Sequence, residues 1–357
     1  MFFLCFFLQK EYKKKIGVYF SLAMSILEPI PFITSDSFIE DILKPDENRF
    51  VMFPIKYHDI WNLYLKSVDC FWKHQDIDLS KDLKDWKDLN DGEQYFIKMI
   101  LAFFSSSDGV IIENLGKRFI NEVQVSEIKA FYGFQNFMEN VHSTTYSLLI
   151  ETYIQDPIEK ERLFSAAQLF PSIQNKSDWA KRWIGDEDSP FCKRLIAFAI
   201  VEGIFFSSSF AAIFWIKQRN ILPGLCLSNE YISRDESLHV EHAVLLYSKL
   251  KKRLSKKEFI AMMKEAVLLE IEFIVHAVPC RLIGMNSDLM TEYIKFVSDR
   301  LCLQLGYDKI YHANNPFIFM EMISIEKKTN FFEHRVSEYA LANKTKDDDI
   351  FDMNSDF

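Results

Sequence analysis

The chain has 357 residues, of which 49% are hydrophobic, with 34 phenylalanines and only 10 glycines. This composition favours one extensive helical core over a turn-rich β fold. The formal net charge of −9, without a basic stripe interleaved with aromatic residues, argues against a nucleic-acid-binding protein. The six cysteines form no Cys-x-x-Cys pair, which is typical of reduced thiols. We therefore expect a cytoplasmic protein.

The N-terminal stretch, residues 1–47, has no sustained periodicity and contains Glu-Pro, Ile-Pro and Lys-Pro steps, so we predict a flexible arm. Its opening run, MFFLCFFL, is short, and the basic residues follow the apolar block, unlike a usual signal peptide. Met24 is an alternative functional start, a hypothesis that would remove residues 1–23. The intact mass of the native protein tests it.

Helical patterns fill the region from residue 48 to 325, which we predict to be one domain. The first helix begins near Pro54 and runs through YHDIWNLYLKSVDCFWKHQ. Asn90, with Glu93 three residues later, forms a capping-box-like start for the second. The segment DLSKDLKDWKDL between them is expected to be a solvated connection. Further helices are predicted over 125–153, 158–169, 172–183, 189–219, 225–250, 255–283, 287–304 and 317–324.

Residues 196–216 are long and apolar enough to span a bilayer, with Glu202 as the only acid. Considered alone, this stretch fits a membrane helix about as well as a buried one. Its neighbours are amphipathic, and a helix that is apolar all round belongs in the middle of a soluble bundle. We therefore predict a central core helix and no membrane association.

A single helical stripe in GFQNFMENVHSTTY carries three groups with redox or metal chemistry. Glu139 and His142 are three residues apart, and Tyr146 follows His142 by four, so all three side chains project from nearly the same side. A carboxylate and an imidazole in this arrangement can bind one metal ion. The phenol of Tyr146 then lies one turn further along, although a hydrogen-bonded core tyrosine is the commoner alternative.

The same Glu-x-x-His spacing recurs at Glu236 and His239, and two lone acids are interleaved with the pairs. Asp108 and Glu202 each lie in a strongly apolar run, where an unpaired charge would cost several kcal/mol. Ordinary surface ion pairing would explain either Glu-x-x-His pair in isolation. The order acid, Glu-x-x-His, acid, Glu-x-x-His is that of ferritin-like di-metal proteins, with Asp108 in place of a glutamate. We predict that these six residues hold two iron or manganese ions.

Other residues on these helices are predicted to support the site. Three apolar side chains share the faces of the ligands and either wall off a reactive phenoxyl or simply pack the core: Phe206 and Phe210, at i+4 and i+8 from Glu202, and Ile232, at i−4 from Glu236. Asp235 points about 100° away from Glu236 along the helix. We therefore expect it to orient a ligand histidine rather than to bind the metal.

Nine ordered motifs extend this pattern over most of the chain. They are FPIKYHDIW, SSSDGVIIENL, EVQVSEIKAFYGFQNFMENVHSTTYSLL, DWAKRWIG, VEGIFFSSSFAAIFW, SNEYISRDESLH, LIGMN, NPFIFMEMIS and KTNFFEHRVSEY. From about Asn48 to Tyr339 the chain resembles the small, radical-generating subunit of class I ribonucleotide reductase, of eukaryotic type. The resemblance implies an all-α, ferritin-like bundle that forms a homodimer.

The resemblance also implies the chemistry. Two iron ions per chain, with manganese not excluded, would use dioxygen to generate a stable tyrosyl radical on Tyr146. In the family an aspartate links a metal-bound histidine to a tryptophan. We match the aspartate to Asp235 and the tryptophan to Trp61 in YHDIW. Trp61 would also supply an electron. The radical would pass through Asp235, Trp61 and Tyr339 to a cysteine of a separate large subunit, which reduces ribonucleotides as their diphosphates.

The C-terminal tail, residues 326–357, is polar and predicted to be disordered until its last residues, FDMNSDF. Phe351, Met353 and Phe357 are apolar points on a polar segment and favour a groove on another protein, although a functionless tail is the alternative. In the family this end docks on the large subunit. Asn354 and Ser355 depart from the acidic and small apolar residues that are common there.

Two other functions share parts of this pattern. A ferritin-type iron store would use similar ligands but would not need Tyr146, Trp61 or the acidic-aromatic tail. A di-iron hydroxylase or desaturase would need an open substrate channel, whereas the predicted apolar wall is closed.

Overall fold

A computed structural model describes residues 39–47, 50–186 and 188–320, without the side chains of residues 184 and 185. Within these ranges the chain is helical and has no strand. Most of the predicted N-terminal arm and all of the predicted tail, residues 326–357, lie outside the described residues.

Twelve α-helices are named here in chain order. They are α1 (His58–Asp69), α2 (Asp82–Asp88), α3 (Asp91–Asn114), α4 (Ser126–Tyr153), α5 (Pro157–Phe164), α6 (Ala166–Leu169), α7 (Pro171–Gly185), α8 (Phe191–Ile200), α9 (Ser207–Lys217), α10 (Pro223–Ser248), α11 (Lys256–Ile271) and α12 (Ser287–Gln304). Three π-helical stretches continue α3, join α8 to α9 and continue α11: Leu115–Phe119, Val201–Phe205 and Glu272–Ala277. The first of them leads into a last α-helical turn, Ile120–Glu122.

The two most apolar helical stretches lie in the core. Asp91–Glu122 and Phe191–Lys217 are each long and apolar enough to cross a membrane, but 56% and 83% of their most apolar windows are buried inside the protein. A helix that is apolar on every side needs protein around it on every side. The predicted central core helix over residues 189–219 is therefore confirmed, and the π turn Val201–Phe205 interrupts it.

Helix starts follow the capping chemistry in the sequence. The Asn90 side chain accepts a hydrogen bond from Glu93 N (3.0 Å), and the Glu93 carboxylate accepts one from Asn90 N (3.0 Å). This reciprocal pair satisfies two backbone donors that the first turn of α3 leaves free. At the start of α5 the Asp156 side chain alone caps the helix, by accepting a hydrogen bond from Ile158 N (3.0 Å). The predicted start of α3 is confirmed, and α5 begins one residue before its predicted start.

The prediction of a solvated connection over DLSKDLKDWKDL is wrong, because α2 forms there. Asp82 is fully buried and accepts hydrogen bonds from Gly224 N and Leu225 N (2.8 Å each) at the start of α10. Trp86 stacks on Tyr153 with ring centroids 4.8 Å apart. These contacts come from helices distant in sequence, so the local alternation of charges gave no sign of them.

The packed part of the chain begins before the predicted boundary at residue 48. Ile42 is buried, and its carbonyl oxygen accepts a hydrogen bond from Gln124 N (2.8 Å). The Glu40 carboxylate accepts hydrogen bonds from the backbone of Lys251 and Lys252 (2.9 and 2.8 Å). Residues 40–42 are thus part of the helical body.

Candidate metal centre

Four of the predicted ligands meet in the core. Each of Glu139, Glu202, Glu236 and His239 offers one donor atom, and these four atoms lie within 4.8 Å of one another. Glu139 comes from α4, Glu202 from the π turn, and Glu236 and His239 from successive turns of α10. His239 Nδ1 lies 3.1 Å from Glu139 Oε1 and 3.0 Å from Glu236 Oε2. Residues far apart in the sequence thus form one buried cluster of oxygen and nitrogen donors.

The other two predicted ligands border this cluster. His142 Nδ1 is 3.1 Å from Glu236 Oε1 and 3.5 Å from Glu139 Oε2. Asp108 on α3 is buried, and its pKa is raised well above its usual range, first by burial and then by the negative charge of Glu139. The donors of all six residues therefore belong to one region of the core.

The pKa shifts of these residues reflect the concentration of ionisable groups in this region. Burial and the neighbouring Glu236 raise the pKa of Glu202 well above its usual range. Burial alone would raise the pKa of Glu236, but the charge of His239 and hydrogen bonds with Glu202, His142 and His239 together outweigh burial and hold that pKa well below normal. The pKa of His239 rises to about 9, since the carboxylates of Glu236 and Glu139 overcome the effect of its burial. These opposed shifts arise because several carboxylates and imidazoles share one buried region.

The donor set fits a pair of divalent metal ions. Three buried carboxylate oxygens have no hydrogen-bond partner among the described residues: Asp108 Oδ2, Glu139 Oε2 and Glu202 Oε2. Buried polar atoms are rarely left unpaired, so such a concentration indicates an absent ligand. Carboxylate and imidazole donors without a thiolate suit iron or manganese. The cluster therefore has the donor set that a di-metal site requires.

Gln135, which the sequence analysis missed, holds one of the ligands. It is fully buried on α4, and its Nε2 donates a hydrogen bond to Glu202 Oε1 (3.0 Å). This hydrogen bond holds one oxygen of the Glu202 carboxylate and leaves the other, Oε2, without a partner among the described residues. Gln135 precedes Glu139 by four residues, so the helical stripe that identified the ligands also contained this position.

Tyr146 lies beside the cluster in an aromatic enclosure. Its hydroxyl is buried and has no hydrogen-bond partner among the described residues. Burial, and next the charge of Asp108, raise the pKa of Tyr146 well above its usual range. Its ring stacks on Phe104, with centroids 4.5 Å apart and planes at 16°.

Phe104, which was not among the predicted wall residues, joins Tyr146 to two of them. Phe206 and Phe210, which the sequence analysis did select, stack on Phe104 at centroid distances of 5.7 and 5.2 Å. Ile232 is buried in the same core on α10. Phe104 precedes Asp108 by four residues, so its spacing from a ligand was a usable signal.

The tryptophan that contacts Asp235 is Trp72, and the pairing of Asp235 with Trp61 is wrong. Trp72 Nε1 donates a hydrogen bond to Asp235 Oδ2 (2.7 Å), and the same oxygen lies 3.1 Å from His142 Nε2. Trp61 packs instead against Tyr64 and Phe53, with ring centroids 5.2 and 5.9 Å away.

The position at which α1 ends explains why Trp72, rather than Trp61, contacts Asp235. The predicted first helix extended through Trp72, but α1 ends at Asp69 and the chain turns away. Arg234 Nη2 donates a hydrogen bond to Cys70 O (2.6 Å), which ties the turn to α10. Trp72 is thereby buried against Asp235, whereas Trp61 stays half-buried on α1.

Four predicted functional residues lie outside the described residues: Tyr339, Phe351, Met353 and Phe357.

A family model described as "Ribonucleotide reductase, small chain" matches residues 49–316. The chain belongs to the ribonucleotide reductase small-chain family. The predicted family and its helical, ferritin-like fold are therefore confirmed.

Relatives support the family assignment over nearly the whole chain. The ribonucleoside-diphosphate reductase small chain of Neurospora crassa is 54% identical over 320 residues, which are 88% of this chain and 78% of the relative. Subunit M2 of the human enzyme is 53% identical over 300 residues, 84% of this chain and 77% of its own length. These relatives are reductase chains, so the comparisons favour the reductase over an iron store or a hydroxylase.

Solved structures give the same fold. The ribonucleotide reductase Rnr4 homodimer from Saccharomyces cerevisiae matches with a TM-score of 0.74 at 37% identity, covering 84% of this chain and 93% of that chain. The dimanganese(II)-NrdF of Streptococcus sanguinis matches with a TM-score of 0.64 at 19% identity, covering 73% and 92%. At that identity the second match supports the fold alone.

Proposed function

We propose that this chain is the radical-generating small subunit of a ribonucleoside-diphosphate reductase. The observation that carries the proposal is the position of Tyr146, buried inside an aromatic wall one helical turn from His142 of the metal cluster. The six ligands Asp108, Glu139, His142, Glu202, Glu236 and His239 would hold two iron ions. When bound, these ions supply the oxidising power, drawn from dioxygen, that removes an electron from a phenol. Manganese would suit the same donors.

The protein's own part is to prepare and protect Tyr146. Burial and the charge of Asp108 keep the phenol protonated, so Tyr146 gives up its proton only when it is oxidised. The rings of Phe104, Phe206 and Phe210 exclude water and soluble reductants from the resulting phenoxyl. Gln135 and Asp235 orient Glu202 and His142 respectively.

The radical would leave Tyr146 and pass through His142, Asp235 and Trp72. Distances of 3.1 and 2.7 Å connect these three side chains through one carboxylate oxygen, Asp235 Oδ2. Trp72 therefore takes the role that the sequence analysis gave to Trp61. From Trp72 the radical would pass to Tyr339 in the tail and on to a cysteine of the large subunit.

Assembly follows from the same proposal. A small chain implies a large, nucleotide-binding partner, and the tail residues Phe351, Met353 and Phe357 would dock on it. The homodimeric yeast relative supports a homodimer. We place the assembled enzyme in the cytoplasm.

Electron paramagnetic resonance tests the proposed function. Full-length protein that receives ferrous iron and then air should develop a tyrosyl radical signal. The same protein should reduce ribonucleoside diphosphates only after the large subunit is added. A protein that takes up two iron ions but gives no tyrosyl signal would count against the proposal.

Replacement of Trp72 should interrupt the route without harm to the fold. We expect Trp72→Phe to lower nucleotide reduction by more than about a hundredfold, the effect of a barrier about 3 kcal/mol higher, because phenylalanine is far harder to oxidise. Trp61→Phe is the matched control and should stay within about twofold, since substitutions away from the site change little. Activity assays with the large subunit measure both variants. Equal losses would show that the Asp235–Trp72 contact does not define the route.

A further inference from the structure

A fully buried ion pair lies behind the aromatic wall, and neither the sequence analysis nor the proposed mechanism uses it. Lys176 Nζ on α7 lies 2.6 Å from Glu270 Oε2 on α11, and both side chains are at most 1% exposed. The ammonium also sits 3.6 Å from the ring centroid of Phe103 and 4.2 Å from that of Phe273.

Burial opposes both charges in this pair. It lowers the pKa of Lys176 to about 8 and raises the pKa of Glu270. Apolar residues of similar volume would often fill such a place with equal or greater stability. The pair is therefore better explained by what it holds in place than by its own contribution to folding.

What it holds is the backbone at the π turn. Lys176 Nζ donates a hydrogen bond to Phe205 O (2.7 Å), the carbonyl of the last residue of Val201–Phe205. Glu270 Oε1 accepts hydrogen bonds from Ser208 N (3.3 Å) and from Ser208 Oγ. A π turn disturbs the regular i to i−4 ladder, and buried backbone groups left without a partner are costly. The ion pair therefore supplies hydrogen-bond partners to the backbone on both sides of the junction between the π turn and α9.

This turn also carries the metal site. Glu202 is its second residue, and Phe206, the next residue after the turn, belongs to the wall around Tyr146. Phe103, under the ammonium, packs on Phe206 with ring centroids 5.5 Å apart. A change in the turn would therefore move a ligand carboxylate and the wall together.

We propose that Lys176 and Glu270 are positioning residues, which hold the π turn in the register that presents the Glu202 carboxylate to the metal site. The proposal rests on the proposed function, because it requires that Glu202 binds metal.

Binding of Mn²⁺ to the metal-free full-length protein tests it, with the free-ion electron paramagnetic resonance signal as the readout. The apolar double variant Lys176→Met/Glu270→Met keeps the volume but loses every hydrogen bond to the turn. We expect its Mn²⁺ affinity to fall by about tenfold to a hundredfold, as for other partners that orient metal ligands. Glu270→Gln retains hydrogen-bonding capacity and should stay within about threefold of wild type.

A second ion pair provides the control. Lys98 and Glu159 lie 2.8 Å apart on α3 and α5, away from the π turn, and Lys98→Met/Glu159→Met should leave Mn²⁺ affinity unchanged. A folded Lys176→Met/Glu270→Met protein with wild-type affinity would overturn the proposal.

A milder variant covers the case in which the apolar double variant does not fold. Ser208→Ala removes one hydrogen bond to Glu270, and affinity should then drop by about threefold or more. Unchanged affinity in Ser208→Ala would equally overturn the proposal. Failure of the wild-type protein to bind Mn²⁺ would instead refute the proposed function itself.

Discussion

Tyr146→Phe should bind iron like the wild-type protein but give no tyrosyl radical and no nucleotide reduction. The phenylalanine ring keeps the stacking on Phe104, at a centroid distance of 4.5 Å in the wild type, and removes only the hydroxyl. That hydroxyl has no hydrogen-bond partner among the described residues. Its loss should leave the free energy of unfolding within about 1 kcal/mol of wild type, or slightly higher. Iron analysis, electron paramagnetic resonance and thermal unfolding measure the three effects.

Tyr132→Phe is a close control for this variant. Tyr132 lies on the same helix, α4, and is also buried with a hydroxyl that has no partner among the described residues. It stacks on Phe119, with centroids 5.6 Å apart, outside the wall of Phe104, Phe206 and Phe210. The radical should persist in Tyr132→Phe. A tyrosyl signal that survives in Tyr146→Phe, or that disappears in Tyr132→Phe, would show that the radical has been assigned to the wrong residue.

Deletion of residues 351–357 should abolish nucleotide reduction and leave iron content and the Tyr146 radical unchanged. The deleted peptide, FDMNSDF, places three apolar side chains among polar ones after Lys-Thr-Lys-Asp-Asp-Asp. Apolar residues so arranged are suited to a groove on a partner. The ligands and the aromatic wall all lie in the helical body, so the radical should form without the tail. Iron analysis, electron paramagnetic resonance and activity assays with the large subunit separate the two functions.

A synthetic peptide extends this test. FDMNSDF should inhibit the intact enzyme by competing for the large subunit. The matched control peptide, with alanine in place of Phe351, Met353 and Phe357, should not inhibit. Normal activity of the truncated protein would show that docking depends on another part of the chain.

The ligands could be predicted from the sequence because their signals are local. Glu-x-x-His spacing puts Glu139 and His142 on one helical face, and a lone acid such as Glu202 stands out in an apolar run. The same reasoning extended one turn would have reached Phe104 and Gln135, each four residues before a ligand.

Helical spacing could not show which of the two tryptophans, Trp61 or Trp72, contacts Asp235. Trp61 and Trp72 both lie in one predicted helical segment, and only the end of α1 at Asp69 brings Trp72 back to Asp235. The buried pair of Lys176 and Glu270 is equally invisible, because its two residues are 94 positions apart. Contacts between helices, rather than the periodicity of any one helix, decide both cases.

Metal binding at the ligand cluster, as proposed, would make the free energy of unfolding depend on the concentration of free metal. A metal that binds only the folded chain adds about 2.7 kcal/mol when its free concentration is a hundred times the dissociation constant. The folded population is thus tied to the metal supply of the compartment in which the chain is made. Manganese and iron also stand at the weak end of the affinity order for divalent ions. A cluster built from ordinary carboxylates and imidazoles cannot by itself reject copper or zinc, so correct loading depends on the cell keeping those competitors scarce.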